Sequence, residues 1–340
     1  METIWYAIIA FTLTVYVILD GFDLGTGALH LWIARSEDER NRTLAAIGPF
    51  WDGNEVWLLA AGGVLYLSFP AAFAASFSGF YLPLIMIVWL FMLRGIGIEF
   101  RSHIGNPMWK SFCDTIFSLS SVLLAIFLGA ALGNVIRGVP LNGEGYFFEP
   151  LWTTFTLHQY PGILDWYTVF VGVFALITLA THGANYIALK TDGALNARAR
   201  KMAAVTGWGM GILTPLSIIL TLRARPELFD NYRSHGWGAI FPIVIALSIS
   251  GFVYFRMLGN DLGAFLSSSV FIAGMLGGAA FAMYPFILPA TTDPTFAMTV
   301  HNSAASAYGL RVGLTWWVIG IALAIGYFFI LFRSFRGKVS

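Results

Sequence analysis

The sequence predicts an all-α integral membrane protein with about nine transmembrane helices. Hydrophobic residues make up 58% and charged residues 11% of the 340 positions, and mean hydropathy is +0.74, whereas about a quarter of a soluble protein is charged. The apolar residues fall in runs of about twenty, the length an α-helix needs to cross a hydrocarbon layer. The period-two alternation of a transmembrane barrel is absent, so helices are the remaining way to satisfy the backbone.

Nine apolar segments are predicted to span the membrane, joined mostly by short connections, within one polytopic domain over residues 1–340. The predicted spans are 4–32, 50–74, 77–98, 113–136, 163–188, 203–222, 237–256, 262–285 and 309–333. Only residues 68–79 separate the second span from the third, and Pro and Gly there indicate either a turn or a kink.

The distribution of basic residues predicts the orientation. With the N-terminus outside, fourteen of the 19 Lys and Arg residues fall in cytoplasmic segments and five in outer segments. The positive-inside rule therefore predicts an outer N-terminus and a cytoplasmic C-terminus. The net charge of +1 gives no basic surface for nucleic acid.

Two short segments recur in the second half of the chain. Arg42–Ile47 resembles Arg200–Val205 at an offset of 158, and Asp20–Asp23 can be laid on His182–Asn185 at an offset of 162. Chance matching among small apolar residues explains this about as well as a true repeat. A true repeat would make the first and second sets of four helices parallel bundles, because an even number of spans preserves orientation. The corresponding ranges are 1–136 for the first bundle, 163–285 for the second and 309–333 for an added ninth helix.

Four carboxylates in the predicted spans are the candidate functional residues. A charged group at a helix centre costs about 2.5–3.5 kcal/mol on insertion scales, so each one needs a reason. Asp20 and Asp23 share one face of the first span, and Asp52 and Glu55 repeat that spacing at the start of the second. Arg94 is the one basic residue expected at the same depth.

Two interpretations of these carboxylates are open. Asp52 and Glu55 could complement the unpaired N–H groups of a first helical turn. Alternatively, all four could form a proton conduit, since buried carboxyl groups can load and release protons near neutral pH. Capping cannot explain Asp20 and Asp23, which lie deep in a continuing helix.

Small residues and histidines in the spans are expected to serve packing. Gly21 and Gly25 form a small-xxx-small surface that allows close helix contact in lipid, as do Gly207 and Gly211. His30 and His182 are the histidines nearest to predicted helices. Nothing in their spacing demands haem iron, so packed or surface roles are favoured over axial ligation.

The motifs around the carboxylates resemble those of subunit II of cytochrome bd-type quinol oxidases, a family that includes cyanide-insensitive members. Leu19–Gly25 is similar to the first signature of that family, and Trp51–Leu58 is similar to the second. Further similar segments cover most of the chain: Ala61–Gly63, Phe77–Tyr81, Gly129–Asn134, Gly138–Pro140 and Met283–Phe286.

The resemblance implies a bacterial inner-membrane respiratory complex that oxidises quinol, reduces dioxygen to water and builds a proton gradient without pumping. Two b-type haems and one d-type haem would then be held by the partner subunit I, and this chain would hold none. It also implies two four-helix bundles plus one helix, and a small single-helix subunit as a further partner. A quinone is bound within this subunit in some relatives, but no residue here identifies a pocket for it.

By the same resemblance, Asp52 matches an aspartate that faces subunit I on a route bringing cytoplasmic protons toward the haems. Asp20, Asp23 and Glu55 are the further candidates for that route. The competing class is a proton-coupled secondary transporter with parallel repeats. The absence of proline from spans one and five and the off-centre carboxylates disfavour it. A scaffolding membrane subunit without a proton role is the third alternative.

Overall fold

The computed structural model describes residues 1–339 and is built almost entirely of helices. The twelve α-helices are α1 (Glu2–Ile33), α2 (Glu37–Ile47), α3 (Trp51–Ser68), α4 (Pro70–Gly79), α5 (Tyr81–Glu99), α6 (Pro107–Arg137), α7 (Trp166–Lys190), α8 (Gly193–Ala224), α9 (Asp230–Ser234), α10 (Ile240–Met257), α11 (Asp261–Met283) and α12 (Ala307–Ser334). Two short strands, β1 (Phe286–Leu288) and β2 (Met298–Thr299), pair antiparallel.

The predicted all-α membrane fold is confirmed. Within the described residues, eight helices are long and apolar enough to cross a membrane: α1, α5, α6, α7, α8, α10, α11 and α12. The predicted count of about nine is therefore approximate, and the predicted span outside these eight is 50–74, whose first part is α3. Its 18 residues begin with a polar segment that contains Asp52 and Glu55, which lowers its mean hydropathy.

The second predicted span, 50–74, is not one continuous helix. It breaks at Phe69, which ends α3 and precedes α4. Phe69 is followed by Pro70, and the proline ring disfavours helical geometry in the residue before it. Because α4 occupies residues 70–79, the third span begins at Tyr81, four residues later than predicted.

The polar helix α2 was missed by the sequence prediction. Arg42–Ile47, which precedes the predicted span 50–74, forms the last turns of α2, and a break at residues 48–50 separates α2 from α3. A capping box starts α2, in which the Ser36 side chain accepts from the Glu39 N–H and the Glu39 side chain accepts from the Ser36 N–H.

The other predicted spans differ from the helices mainly at their ends. α8 begins at Gly193, ten residues before the predicted start. Its first turns carry charged residues, so their low hydropathy did not indicate a membrane span. Asn106 caps α6, and a capping box formed by Asp165 and Thr168 starts α7.

Helix α1 lies at the centre of the fold and packs against α3, α6, α7 and α11. α1 and α7 approach most closely at Gly25 and Gly183, where a side chain on either glycine would overlap the backbone of the facing helix. A Cβ on Gly207 would meet the Phe252 ring at 2.5 Å. A Cβ on Gly211 would meet no atom of another described helix within 4 Å, so the packing role of that glycine stays a prediction.

Neighbouring helices pair in the same pattern in each half of the chain. α1 packs on α3 and α6, and α6 packs on α5. In the second half, α7 packs on α8 and α11, and α11 packs on α10. α12 lies against α3. This arrangement agrees with the predicted bundles over 1–136 and 163–285 and an added helix at 309–333, and that division stays a prediction.

Candidate functional site

The centre of the candidate site is an ion pair between α1 and α5. The Arg94 guanidinium donates two hydrogen bonds to the Asp20 carboxylate, from Nη1 to Oδ2 at 3.0 Å and from Nη2 to Oδ1 at 2.5 Å. Both side chains are completely buried. Two parallel bonds of this kind match the planar geometries of guanidinium and carboxylate. The sequence placed Arg94 at the depth of the carboxylates, and the structure pairs it with Asp20.

Asp23 is fully buried one turn further along α1, but its partner is neutral. Its Oδ2 accepts a hydrogen bond from Asn54 Nδ2 at 2.7 Å. Asn54 also donates to the Leu19 carbonyl at 3.3 Å, so it ties α3 to α1. Sequence reasoning missed Asn54, although it stands between Asp52 and Glu55 in the motif, because it carries no charge.

Several buried polar atoms around these residues have no hydrogen-bond partner within the described chain. They are Tyr16 Oη, Asp23 Oδ1, Asn54 Oδ1, Trp57 Nε1 and Arg94 Nε. A buried polar atom without a partner costs about 1–3 kcal/mol. Internal water commonly satisfies such groups in a polar site. The region between α1, α3 and α5 is therefore chemically suited to hold water beside carboxylates.

The two carboxylates of α3 lie closer to the surface. Asp52 is exposed and makes no hydrogen bond or ion pair with the described residues, so the capping interpretation receives no support from its contacts. Glu55 is half-buried and lies within electrostatic range of Arg94, Asp20 and Asp52. The four predicted carboxylates therefore extend from Asp52 at the surface of α3, through Glu55, to Asp20 and Asp23 on α1 near Arg94.

A second buried cluster, which sequence reasoning missed, surrounds Asp114 on α6. Its carboxylate is 1% exposed and contacts the His30 ring at 2.9 Å, Arg40 at 3.0 Å and Arg101 at 2.6 Å. Asp114 is an isolated charged residue near the start of a long apolar run, and this feature of the sequence could have indicated a buried ion pair. The cluster joins α1, α2 and α6 to the residues that follow α5.

A third cluster fixes the long segment between α6 and α7. Arg137 donates to Glu149 at 2.7 Å and also pairs with Asp165, the residue that caps α7. All three side chains are buried. Burial raises the pKa of Glu149 to about 7, although the Arg137 charge acts in the opposite direction. No spacing pattern in the sequence linked these three residues.

The two candidate histidines are held by hydrogen bonds inside the protein. His182 bonds Ser268 through Nδ1 at 2.8 Å and the Ile18 carbonyl through Nε2 at 2.9 Å, so both ring nitrogens are engaged. His30 uses Nε2 to contact Asp114. Within residues 1–339, no group of three or more His, Cys, Asp or Glu side chains is placed to hold a metal ion. His182 therefore has no free ring nitrogen, whereas the buried Nδ1 of His30 has no partner within the described residues.

Comparison with known families decides the class of the protein. A family model described as cytochrome bd terminal oxidase subunit II matches residues 1–335. The chain belongs to that family. It is thus a subunit of a cytochrome bd oxidase, an oxidoreductase complex of bacterial membranes.

Several relatives are similar to this bd oxidase subunit over nearly their whole length. The probable cytochrome oxidase subunit 2 of Haemophilus influenzae is 30% identical, with 96% of this chain and 92% of the relative covered. The cytochrome bd-I ubiquinol oxidase subunit 2 of Escherichia coli K12 is also 30% identical, covering 93% and 89%. The cytochrome bd ubiquinol oxidase subunit 2 of Bacillus subtilis is 26% identical, covering 92% and 89%.

A solved structure shares the fold of this bd oxidase subunit. A chain from the structure of bd oxidase from Geobacillus thermodenitrificans aligns with a TM-score of 0.77 at 18% identity, covering 98% of both chains. The predicted resemblance to subunit II is therefore confirmed, and membership of the family implies assembly with a subunit I.

Proposed function

We propose that this subunit pairs with a haem-bearing subunit I in a quinol:oxygen oxidoreductase and supplies part of its cytoplasmic proton-uptake route. Subunit I would hold the b-type and d-type haems. The bonding of His182 supports that division, since both of its ring nitrogens are engaged within the chain. Reduction of dioxygen to water consumes protons, which must reach a reaction site buried in the membrane.

One observation carries the proton-route proposal: carboxylates lead inward from an exposed Asp52 to buried partners. Glu55 follows one turn along α3, and beyond it lie Asp23 and the Arg94–Asp20 pair. The partnerless polar atoms beside them give water several donors and acceptors. Carboxylates and water in series can pass protons through a low-dielectric region. Asp52, at the surface, is the proposed entry group facing subunit I.

The orientation supports uptake from the cytoplasm. With an outer N-terminus, α1 runs inward and α3 starts at the inner side, so Asp52 lies near cytoplasmic water. The basic residues of α2 and of the start of α8 fall on the same side, in agreement with the positive-inside rule. We place the complex in the bacterial inner membrane, with the C-terminus cytoplasmic.

The remaining expected partners are quinol and a small single-helix subunit. Among the eight long apolar helices in residues 1–339, α12 is the most exposed, and Leu310 is its one buried residue. It therefore offers an uncovered apolar face to lipid or to such a subunit. Two cavities of about 230 and 210 Å³ occur at the membrane edges. Their charged linings suit an isoprenoid quinone poorly, so no quinone site is assigned within this chain.

The transporter alternative loses support from the helix geometry. α1 and α7, the helices that would carry a substrate site in parallel repeats, run without internal proline from Glu2 to Ile33 and from Trp166 to Lys190. Transporter sites of this type use interrupted helices. The scaffolding alternative predicts normal turnover when Asp52 is replaced, whereas the proton route predicts slower turnover.

Replacement of Asp52 by Asn tests the proton route. In the purified two-subunit complex, Asp52→Asn should slow oxygen consumption roughly tenfold, because loss of a positioned proton-transfer group is costly. The optical haem spectrum should stay intact. Asp38→Asn, an exposed aspartate on α2 outside the carboxylate series, is the matched control and should leave turnover unchanged. Wild-type turnover in Asp52→Asn would favour a scaffolding role.

A further inference from the structure

A basic cavity at the edge of the membrane lies between the start of α2 and the start of α6. Its volume is about 210 Å³. The lining residues are Arg35, Ser36, Glu37, Arg40, Arg101, Pro107, Lys110, Ser111 and Asp114. Four of these side chains are cationic and two are anionic, so the lining carries a formal charge of +2.

The two carboxylates of this cavity are already committed to partners. Asp114 is shared by Arg40 and Arg101, and Glu37 pairs with Lys110. Arg101 spends three of its five N–H donors inside the protein, because its Nε and Nη2 hold Asp114 and its Nη1 donates to Asn41 at 2.6 Å. Its role is to position the cluster.

Other donors of the cavity remain available. Arg35 is exposed, and its side chain makes no hydrogen bond or ion pair with residues 1–339. Arg40 Nε is buried without a partner in the same described range. Lys110 has three N–H donors and spends one on Glu37.

The surface beside the cavity is strongly apolar. Met108 and Phe112, one turn apart on α6, are 80% and 52% exposed, and Trp32 near the end of α1 is 72% exposed. Exposed aromatic residues at a membrane boundary are typical of the headgroup region. A free phosphate ion would use the cations but would have no use for these apolar neighbours.

We propose that this cavity binds the phosphate of an anionic phospholipid, with Arg35, Arg40 and Lys110 contacting the headgroup and the acyl chains lying along Met108 and Phe112. Basic pockets beside membrane helices recognise anionic headgroups by this combination of charge and apolar contact. The lipid would join α1, α2 and α6 at the membrane edge, next to the buried Asp114 cluster.

The test uses the complete, delipidated oxidase complex and native mass spectrometry. Phosphatidylglycerol should be retained more strongly than phosphatidylcholine, which carries the same phosphate without net charge. Arg35→Gln should weaken phosphatidylglycerol retention roughly fivefold, the usual effect of one basic residue near an anionic headgroup. Arg336→Gln is the matched control, since Arg336 is exposed and lines the other cavity; it should change retention less than twofold.

A free ion or a protein segment in the cavity would give different results in these measurements. Equal retention of the two lipids, or equal effects of Arg35→Gln and Arg336→Gln, would overturn the proposal. Displacement of bound lipid by millimolar inorganic phosphate would assign the cavity to the free ion instead. Zero-length cross-linking of Lys110 to another subunit, without lipid retention, would show that protein covers the cavity. A thermal midpoint raised by phosphatidylglycerol in wild type but not in Arg35→Gln would support the proposal independently.

Discussion

Arg94 on α5 binds the carboxylate of Asp20 on α1 through two hydrogen bonds, and neither side chain is exposed. The two residues are 74 positions apart in sequence, and their contact links two helices. A buried ion pair can contribute little net stability, yet removal of one member leaves the other charge uncompensated. The pair therefore also holds a guanidinium and a carboxylate in place beside Asp23 and Glu55.

Arg94→Gln should destabilise the complex by about 3–5 kcal/mol, because Asp20 would remain buried without its counter-ion. The thermal midpoint of the detergent-solubilised complex measures this. The double variant Arg94→Gln/Asp20→Asn should recover much of the loss, since it removes both charges. A single variant that melts like wild type would show that Asp20 does not depend on Arg94.

Gly25→Ala should lower stability by about 1–3 kcal/mol, the usual cost of overpacking. The added methyl would overlap the Leu179 backbone, so α1 and α7 would have to separate. Gly211→Ala is the matched control. A Cβ there would meet no other part of residues 1–339 within 4 Å, and alanine favours the helix. The thermal midpoint of the detergent-solubilised complex measures both variants. Equal falls in the midpoint for Gly25→Ala and Gly211→Ala would contradict the close contact of α1 with α7.

The buried Glu149 should make stability fall as pH rises. Its folded pKa of about 7 lies above the value of 4.5 expected without burial. The folded state therefore binds more protons between those values, and stability should fall as pH rises from about 4.5 to about 7. Glu149→Gln should remove about 1–3 kcal/mol of that fall.

Thermal midpoints at pH 5 and pH 7.5 measure the Glu149 effect. Glu144→Gln is the control, because Glu144 lies on the same segment but is exposed. The control should keep the wild-type slope. Identical slopes in all three proteins would show that Glu149 keeps an ordinary pKa in the folded state.

The long apolar helices were predictable because hydropathy alone defines them, as for α6 and α7. Helix α2 was missed because its sequence is polar and its only start signal is the Ser36–Glu39 capping box. The break at Phe69 was indicated by Pro70, but a proline inside an apolar run predicts a kink as well as an end.

The candidate site was partly predictable. Asp20, Asp23, Asp52 and Glu55 stood out because charged groups in apolar spans are costly. Asn54 carries no charge, and its contact with Asp23 depends on the crossing of α1 and α3. The pairing of Asp114 with Arg40 and Arg101 likewise depends on tertiary structure, because its partners come from segments that are distant in sequence.

The rate of proton uptake during oxygen reduction tests the central claim most directly. The fully reduced complex is mixed with oxygen, and a pH-sensitive dye reports proton uptake beside the optical signal of the haems. Asp52→Asn should delay proton uptake and the final haem oxidation while leaving oxygen binding at the wild-type rate. Proton uptake at the wild-type rate in Asp52→Asn and in Glu55→Gln would contradict a proton route through this subunit.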